Sequence, residues 1–162
     1  MTGFGAILAD LNAAGVRYVL VGGIAVIRHG FVRATRDVDA IVAQDEANFD
    51  AIRDLIARWH ATRPDGSPVP TDSVAPGRSL HLATPHGDLD LLPDRPSPLC
   101  FEQLITRADS RKVDGVSAPI VSLADLVSLK RLAERRPARE REPAVAVAAG
   151  FTGPSPKARR GS

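Results

Sequence analysis

Residues 21–42 read Val-Gly-Gly-Ile-Ala-Val-Ile-Arg-His-Gly-Phe-Val-Arg-Ala-Thr-Arg-Asp-Val-Asp-Ala-Ile-Val, and they restrict the fold more than any other stretch. Gly22 and Gly23 separate an apolar strand-like run from a short apolar helix. Asp37-Val38-Asp39 then opens a second apolar strand. Side chains alternate along a strand, so Asp37 and Asp39 project to one face while Val38 points to the other. Two carboxylates aimed the same way repel unless a positive charge sits between them. A hard divalent cation such as Mg²⁺ meets that demand, since it takes oxygen ligands from one or two carboxylates plus substrate phosphates. Backbone N–H groups at a glycine-opened helix start suit an anionic phosphate. Metal plus phosphate is the first reading of the segment.

The chain of 162 residues has the length of one domain with a real core. Its 44% hydrophobic and 25% charged content are those of an ordinary globular protein. Aromatic residues make up 4%, too few for a base-stacking nucleic-acid platform. The apolar run Tyr18–Ile27 spans ten residues, against the ~20 that a bilayer helix needs. No basic segment precedes an apolar one near the start, so a signal peptide is not expected. The lone Cys100 excludes an internal disulfide and a cysteine-based zinc site. A cytoplasmic location is the default expectation, with no membrane partner.

The net charge of +2 conceals an asymmetry. Residues 130–162 carry nine Lys/Arg against three Glu, while the preceding 129 residues carry 12 basic and 16 acidic side chains. The basic character therefore belongs to the C-terminal end, where it suits either contact with RNA or plain solubility.

Periodicity predicts the elements in turn. Phe4, Ile7, Leu8 and Leu11 share a helix face, and that helix should stop near Gly15. Arg17–Val21 reads as a buried strand, Ile24–His29 as a helix capped by Gly30, and Asp37–Val42 as the second strand. Asp45 is a plausible N-cap for a helix whose apolar face is Phe49, Ile52, Leu55, Ile56 and Trp59. Thr62–Arg78, with four prolines and two glycines, is a loop that can hold a short hairpin. Ser79–Thr84 and Asp88–Leu92 read as strands joined by Pro85-His86-Gly87. A helix over Phe101–Ala108, a hairpin of Lys112–Asp114 and Ser117–Val121, and a helix from the cap Ser122 to about Arg135 complete the pattern. The expected class is α/β (α+β), a small mixed sheet covered by helices. Residues 1–136 form the expected domain. Residues 137–162 form a basic, Pro/Gly-containing tail, flexible by composition, in which Ala144–Ala149 suits a helix turn or a strand.

Gly22-Gly23-x-Ala25-x₃-His29-Gly30-x₂-Arg33-x-Thr35-x-Asp37-x-Asp39 resembles the signature of the DNA polymerase β-like nucleotidyltransferase superfamily. It is most similar to the small prokaryotic branch of minimal nucleotidyltransferases and abortive-infection or toxin–antitoxin relatives. Gly87-Asp-Leu-Asp-Leu-Leu92 resembles that superfamily's third-acid strand, with Asp90 the better match and Asp88 a competitor on the same face. Ser122–Arg131 resembles the later helix in which a lysine, here Lys130, commonly faces the nucleotide. The likeness spans roughly residues 5–135. Beyond it the chain departs, reading Arg136-Pro-Ala-Arg-Glu-Arg-Glu142 where relatives continue with a Lys-Asp pair and an acidic helix.

The resemblance implies transfer of a nucleoside monophosphate from a nucleoside triphosphate such as ATP to an acceptor hydroxyl, with release of pyrophosphate. Asp37, Asp39 and Asp90 would then be catalytic and metal-binding, holding two Mg²⁺ ions (or Mn²⁺) about 3.5–4 Å apart. Gly22 and Gly23 would hold phosphates, with Arg33, Arg36 or Lys130 adding charge. Ordinary surface charge is the plainer reading of those three cations. The acceptor class (tRNA, protein or small molecule) stays open. A reading from another class is a nucleotidyltransferase-like antitoxin, or partner of a cognate toxin, acting by contact with weak or no catalysis. The remaining residues have plainer roles: His29 at a helix end, Thr35 ordering the loop through backbone hydrogen bonds, Phe49 and Trp59 in the core, and Cys100 inert.

Overall fold

The computed structural model describes residues 3–135. The 137–162 tail and Ala144–Ala149 lie outside the described residues. Twelve elements follow in chain order: helix α1 (Phe4–Ala13), strand β1 (Tyr18–Val21), α2 (Gly22–Arg28), β2 (Asp37–Val42), α3 (Glu46–Trp59), a 3₁₀ turn (Thr71–Ser73), β3 (Leu80–Thr84), β4 (Gly87–Leu92), α4 (Phe101–Arg107), β5 (Asp109–Val113), β6 (Val116–Ile120) and α5 (Leu123–Glu134). The strands form one mixed sheet in the order β3-β4-β2-β1-β6-β5. The pairs β1–β2, β3–β4 and β5–β6 are antiparallel, whereas β2–β4 and β1–β6 are parallel. This is the mixed α/β arrangement that the sequence pattern predicts.

The apolar spacing of each element finds its place in a single core. Ile7, Leu8 and Leu11 of α1 are buried with Val19, Leu20, Ile41, Leu55, Leu89, Leu104 and Ile120. Helix α1 packs on β4, β6 and α3, while α4 packs on β1. The central strands β1 and β2 are buried on both faces, apart from half-exposed Asp37 at the open end of β2.

Polar groups fix the joints. Asp45 caps α3 by accepting from the Asn48 N–H at 2.9 Å. Asn48, itself buried, accepts from Arg17 N at 2.7 Å and donates to Arg17 O at 3.1 Å and Ala43 O at 2.9 Å. One side-chain amide thus ties the entry of β1 to the exit of β2. Ser122 caps α5 through the Asp125 N–H. The buried Asp125 carboxylate in turn accepts two bonds from Arg107, at 2.8 and 3.1 Å, joining α5 to the end of α4.

Beyond single-residue shifts at element ends, three boundaries differ from the sequence reading in ways that matter. β5 begins at Asp109 rather than Lys112, because Asp109–Lys112 are exposed along an outer strand and leave no alternation to read. Gly22 and Gly23 form the first turn of α2 instead of preceding it. Gly87 belongs to β4, paired with Thr84, so the β3–β4 turn holds only Pro85 and His86. The loop after α3 does contain a short pairing, Thr62 with Pro68, and Thr62 also bridges Ala83 on the outer side of β3.

Replacing Asn48 by alanine removes three hydrogen bonds and leaves the buried Ala43 carbonyl and the part-buried Arg17 N–H without this partner, at ~1–3 kcal/mol for each group left unpaired. The expected loss is about 3 kcal/mol in urea unfolding. A loss below ~0.5 kcal/mol would show that water takes over those bonds.

Candidate active site

Register builds the site. Val21 of β1 lies opposite Asp39 of β2, Asp39 opposite Asp90 of β4, and Asp90 opposite His81 of β3. Directly paired residues share a sheet face, so these four side chains form one row across four strands. Asp37 pairs with Asp88 in the neighbouring row. Ligand-type oxygens of Asp37, Asp39 and Asp90 all lie within 4.8 Å of one another. Asp88 is exposed and is not in this group.

Asp39 is the buried centre of the cluster, only 1% exposed. Neither of its carboxylate oxygens has a hydrogen-bond partner. The Gly23 N–H lies close enough to favour the charged form without making a well-formed bond. Burial is the main influence on this group, followed by repulsion from Asp37 and Asp90. Arg33 opposes them only weakly, and the Asp39 pKa is raised to about 8. Asp90, also buried, is pushed upward chiefly by burial, against the hydrogen bond from His81. His81 Nδ1 lies 2.7 Å from Asp90 Oδ1. Asp37 is steadied by Thr35, whose hydroxyl donates to Asp37 Oδ1 at 3.2 Å.

The glycines answer to space as much as to conformation. Gly22 has φ +63°, and a Cβ there would lie 2.1 Å from Asp39 Oδ2. A Cβ on Gly23 would lie 2.5 Å from the Thr35 hydroxyl. Any larger residue at either position would displace the carboxylate or the loop that orders it.

The other sequence candidates are placed less centrally. Arg33 is half-exposed and feels Asp39, whereas Arg36 is exposed. Lys130 lies on α5, which packs against α2, with its ammonium 3.9 Å from Glu134. His29 ends α2, and its Nε2 hydrogen-bonds the Val121 carbonyl at 2.8 Å. Cys100 stands at the start of α4, its thiol 3.3 Å from Gln103 Oε1.

Sequence reasoning missed His81. A two-residue turn at Pro85-His86 sets the hairpin register and puts His81 across from Asp90; counting Gly87 into the turn hides that pairing.

Three clustered carboxylates with an unpartnered buried member fit a hard cation, because bare oxygens in a low-dielectric site are costly without one. This sheet, with acids on adjacent parallel strands beside a glycine-led helix, has a nucleotidyltransferase-like fold. A candidate nucleotidyltransferase from Thermotoga maritima shares it with a TM-score of 0.60, over 80% of this chain and 81% of its own, at 15% identity. The antibiotic-resistance factor ANT(2″)-Ia, solved with adenylyl-2″-tobramycin, gives a TM-score of 0.51 over 89% of this chain and 84% of its own, at 12% identity. No family model matches the sequence, and no curated protein matches it significantly. Among the described residues, no helix is long and apolar enough to cross a membrane.

The raised Asp39 pKa has a consequence for stability. Between about pH 4 and the native value near 8, the folded chain holds a proton that the unfolded chain has released. Stability without metal should therefore fall as pH rises through that window. In Asp39→Asn the melting temperature at pH 8.5 is expected to exceed that of the wild type by at least ~3 °C. The gap should shrink toward pH 5 and close when Mg²⁺ is added to the wild type. A gap independent of pH would remove Asp39 as its source.

Proposed function

We propose that this protein is a metal-dependent nucleotidyltransferase, moving a nucleoside monophosphate from a nucleoside triphosphate to an acceptor hydroxyl. The observation that carries this reading is the cluster of Asp37, Asp39 and Asp90, held by in-register strands with two carboxylate oxygens unpartnered. The shared fold supports it.

Asp37, Asp39 and Asp90 would hold Mg²⁺, as two ions if the site is a two-metal one, with Mn²⁺ a substitute. When bound, the metal would screen the phosphate charge and acidify the acceptor hydroxyl. The chain's own residues do the rest. Gly22 and Gly23 offer backbone N–H groups and close approach for the phosphates, with Arg33 adding charge beside Asp39 and Arg36 or Lys130 supplementing it. Thr35 holds Asp37 in place, and His81 holds Asp90. In the transfer itself, the acceptor oxygen bonds to the α-phosphorus while the bond from that phosphorus to the β-phosphate bridging oxygen breaks. Pyrophosphate leaves, and the hydroxyl proton passes to Asp90. Catalysis is positioning and electrostatics.

Incubation with α-labelled nucleoside triphosphates, Mg²⁺ and cell lysate should transfer label to an acceptor. Asp37→Asn and Asp39→Asn should each reduce transfer by at least ~100-fold and weaken metal-dependent nucleotide binding, with the fold intact by circular dichroism. Undiminished, metal-independent triphosphate binding in both variants would sink the assignment. Specific capture of a cognate toxin with no label transfer would favour the contact-acting reading instead.

A further inference from the structure

The site has two flanks, and they differ in chemistry. On the β1 side of the acids stand Gly22 and Gly23, at the start of α2. On the far side, beyond Asp90, the sheet ends at β3. There the loop after α3 and the start of β3 enclose a recess of about 360 Å³, lined by Arg63, Asp65, Ser73, Arg78, Ser79 and His81. That volume lies in the range of small-ligand sites. His81 belongs to both places, lining the recess while its Nδ1 hydrogen-bonds Asp90. The recess therefore opens beside the acid assigned to the acceptor hydroxyl, and away from the glycine turn.

We propose that this recess binds an acceptor through a phosphate group that the acceptor itself carries. The proposal rests on the transfer reading for the acceptor's role, but the binding chemistry stands on the recess alone. Among the described residues, neither Arg63 nor Arg78 forms a salt bridge with a carboxylate. The Arg63 guanidinium makes a long contact, 3.5 Å, to the Ser73 hydroxyl and lies within electrostatic reach of Asp65 without forming a salt bridge to it. Asp65, the acid of the recess, is turned into its own loop. Its Oδ1 accepts from Ser67 N at 2.9 Å and from the Ser67 hydroxyl at 2.6 Å.

Two guanidinium groups with hydroxyls beside them match a phosphate's oxygens in charge and in donor geometry. They also answer an electrostatic difficulty. An anionic acceptor approaching three clustered carboxylates is repelled unless positive charge lies along its route. A polycationic acceptor meets like charge at this flank and is disfavoured. The phosphate can come from a phosphorylated small molecule or from the end of a nucleic acid.

Calorimetry on the full chain tests this with glycerol 3-phosphate, a ribodinucleotide monophosphate and glycerol as probes. Wild-type protein should bind at least one phosphate-bearing probe and not glycerol, and the better of the two phosphate probes identifies the source. The double variant R63A/R78A alters two exposed side chains and should melt as the wild type does. Its phosphate-probe affinity should fall about tenfold or more, while Mg²⁺–ATP affinity stays within about twofold. Wild-type protein that binds neither phosphate probe, or a variant that binds them as tightly, would overturn the proposal. A matching loss of Mg²⁺–ATP affinity would also overturn it, by giving the arginines to the triphosphate. Failure of the wild type to bind Mg²⁺–ATP at all counts against the transfer reading, and leaves the probe result to decide the recess.

Discussion

The structure turns on the parallel, in-register pairing of β2 with β4. That pairing sets Asp39 directly beside Asp90, with Asp37 one row away. A slip of one residue would send one strand's carboxylates to the opposite face and break the cluster. The neighbouring elements accommodate the charge held there. Gly22 omits the atom that would collide with Asp39, Thr35 binds Asp37, and His81 binds Asp90. Among the described residues no cation pairs with the central Asp39, whose raised pKa records the burial and the neighbouring carboxylates instead, and this sets the cluster apart from a structural ion pair.

Such a site destabilises the fold, and the opposing contributions lie elsewhere. The core gathers apolar side chains from α1, α3, α4 and the central strands. Two polar clamps hold its periphery: Asn48 across the ends of β1 and β2, and Arg107 with Asp125 between α4 and α5. Both clamps satisfy buried polar atoms completely enough to be rigid, in contrast with the open valences of Asp39. The unpartnered carboxylate oxygens thus sit where chemistry is proposed, on strands anchored by these clamps and the core.

Much of this was legible in the residues. Alternation in Asp37–Val42 and Asp88–Leu92 separates acids from aliphatics, and apolar spacing in α1 and α3 marks their buried faces. Caps at Asp45 and Ser122 carry local signals that need no tertiary knowledge. Other features depend on pairing that no single segment encodes. Asp88 and Asp90 share a face, and only the register beside Asp39 together with burial separates them. His81 gains its position from the turn length two strands' ends away. Asn48 looks like an ordinary helix residue until the strands on either side of it are in place. The β5 edge was under-read because an outer strand need not alternate.

The two borders of the sheet have a consequence for how copies of this chain meet one another. One border, β5, presents Asp109, Ser110, Arg111 and Lys112 to solvent. The other, β3, has its Ala83 backbone groups engaged by Thr62, with bonds of 3.1 and 2.8 Å. An incoming strand would have to displace a hydrogen-bonded loop at one end or pair beside a row of charges at the other. Both arrangements discourage edge-to-edge pairing between copies of the chain.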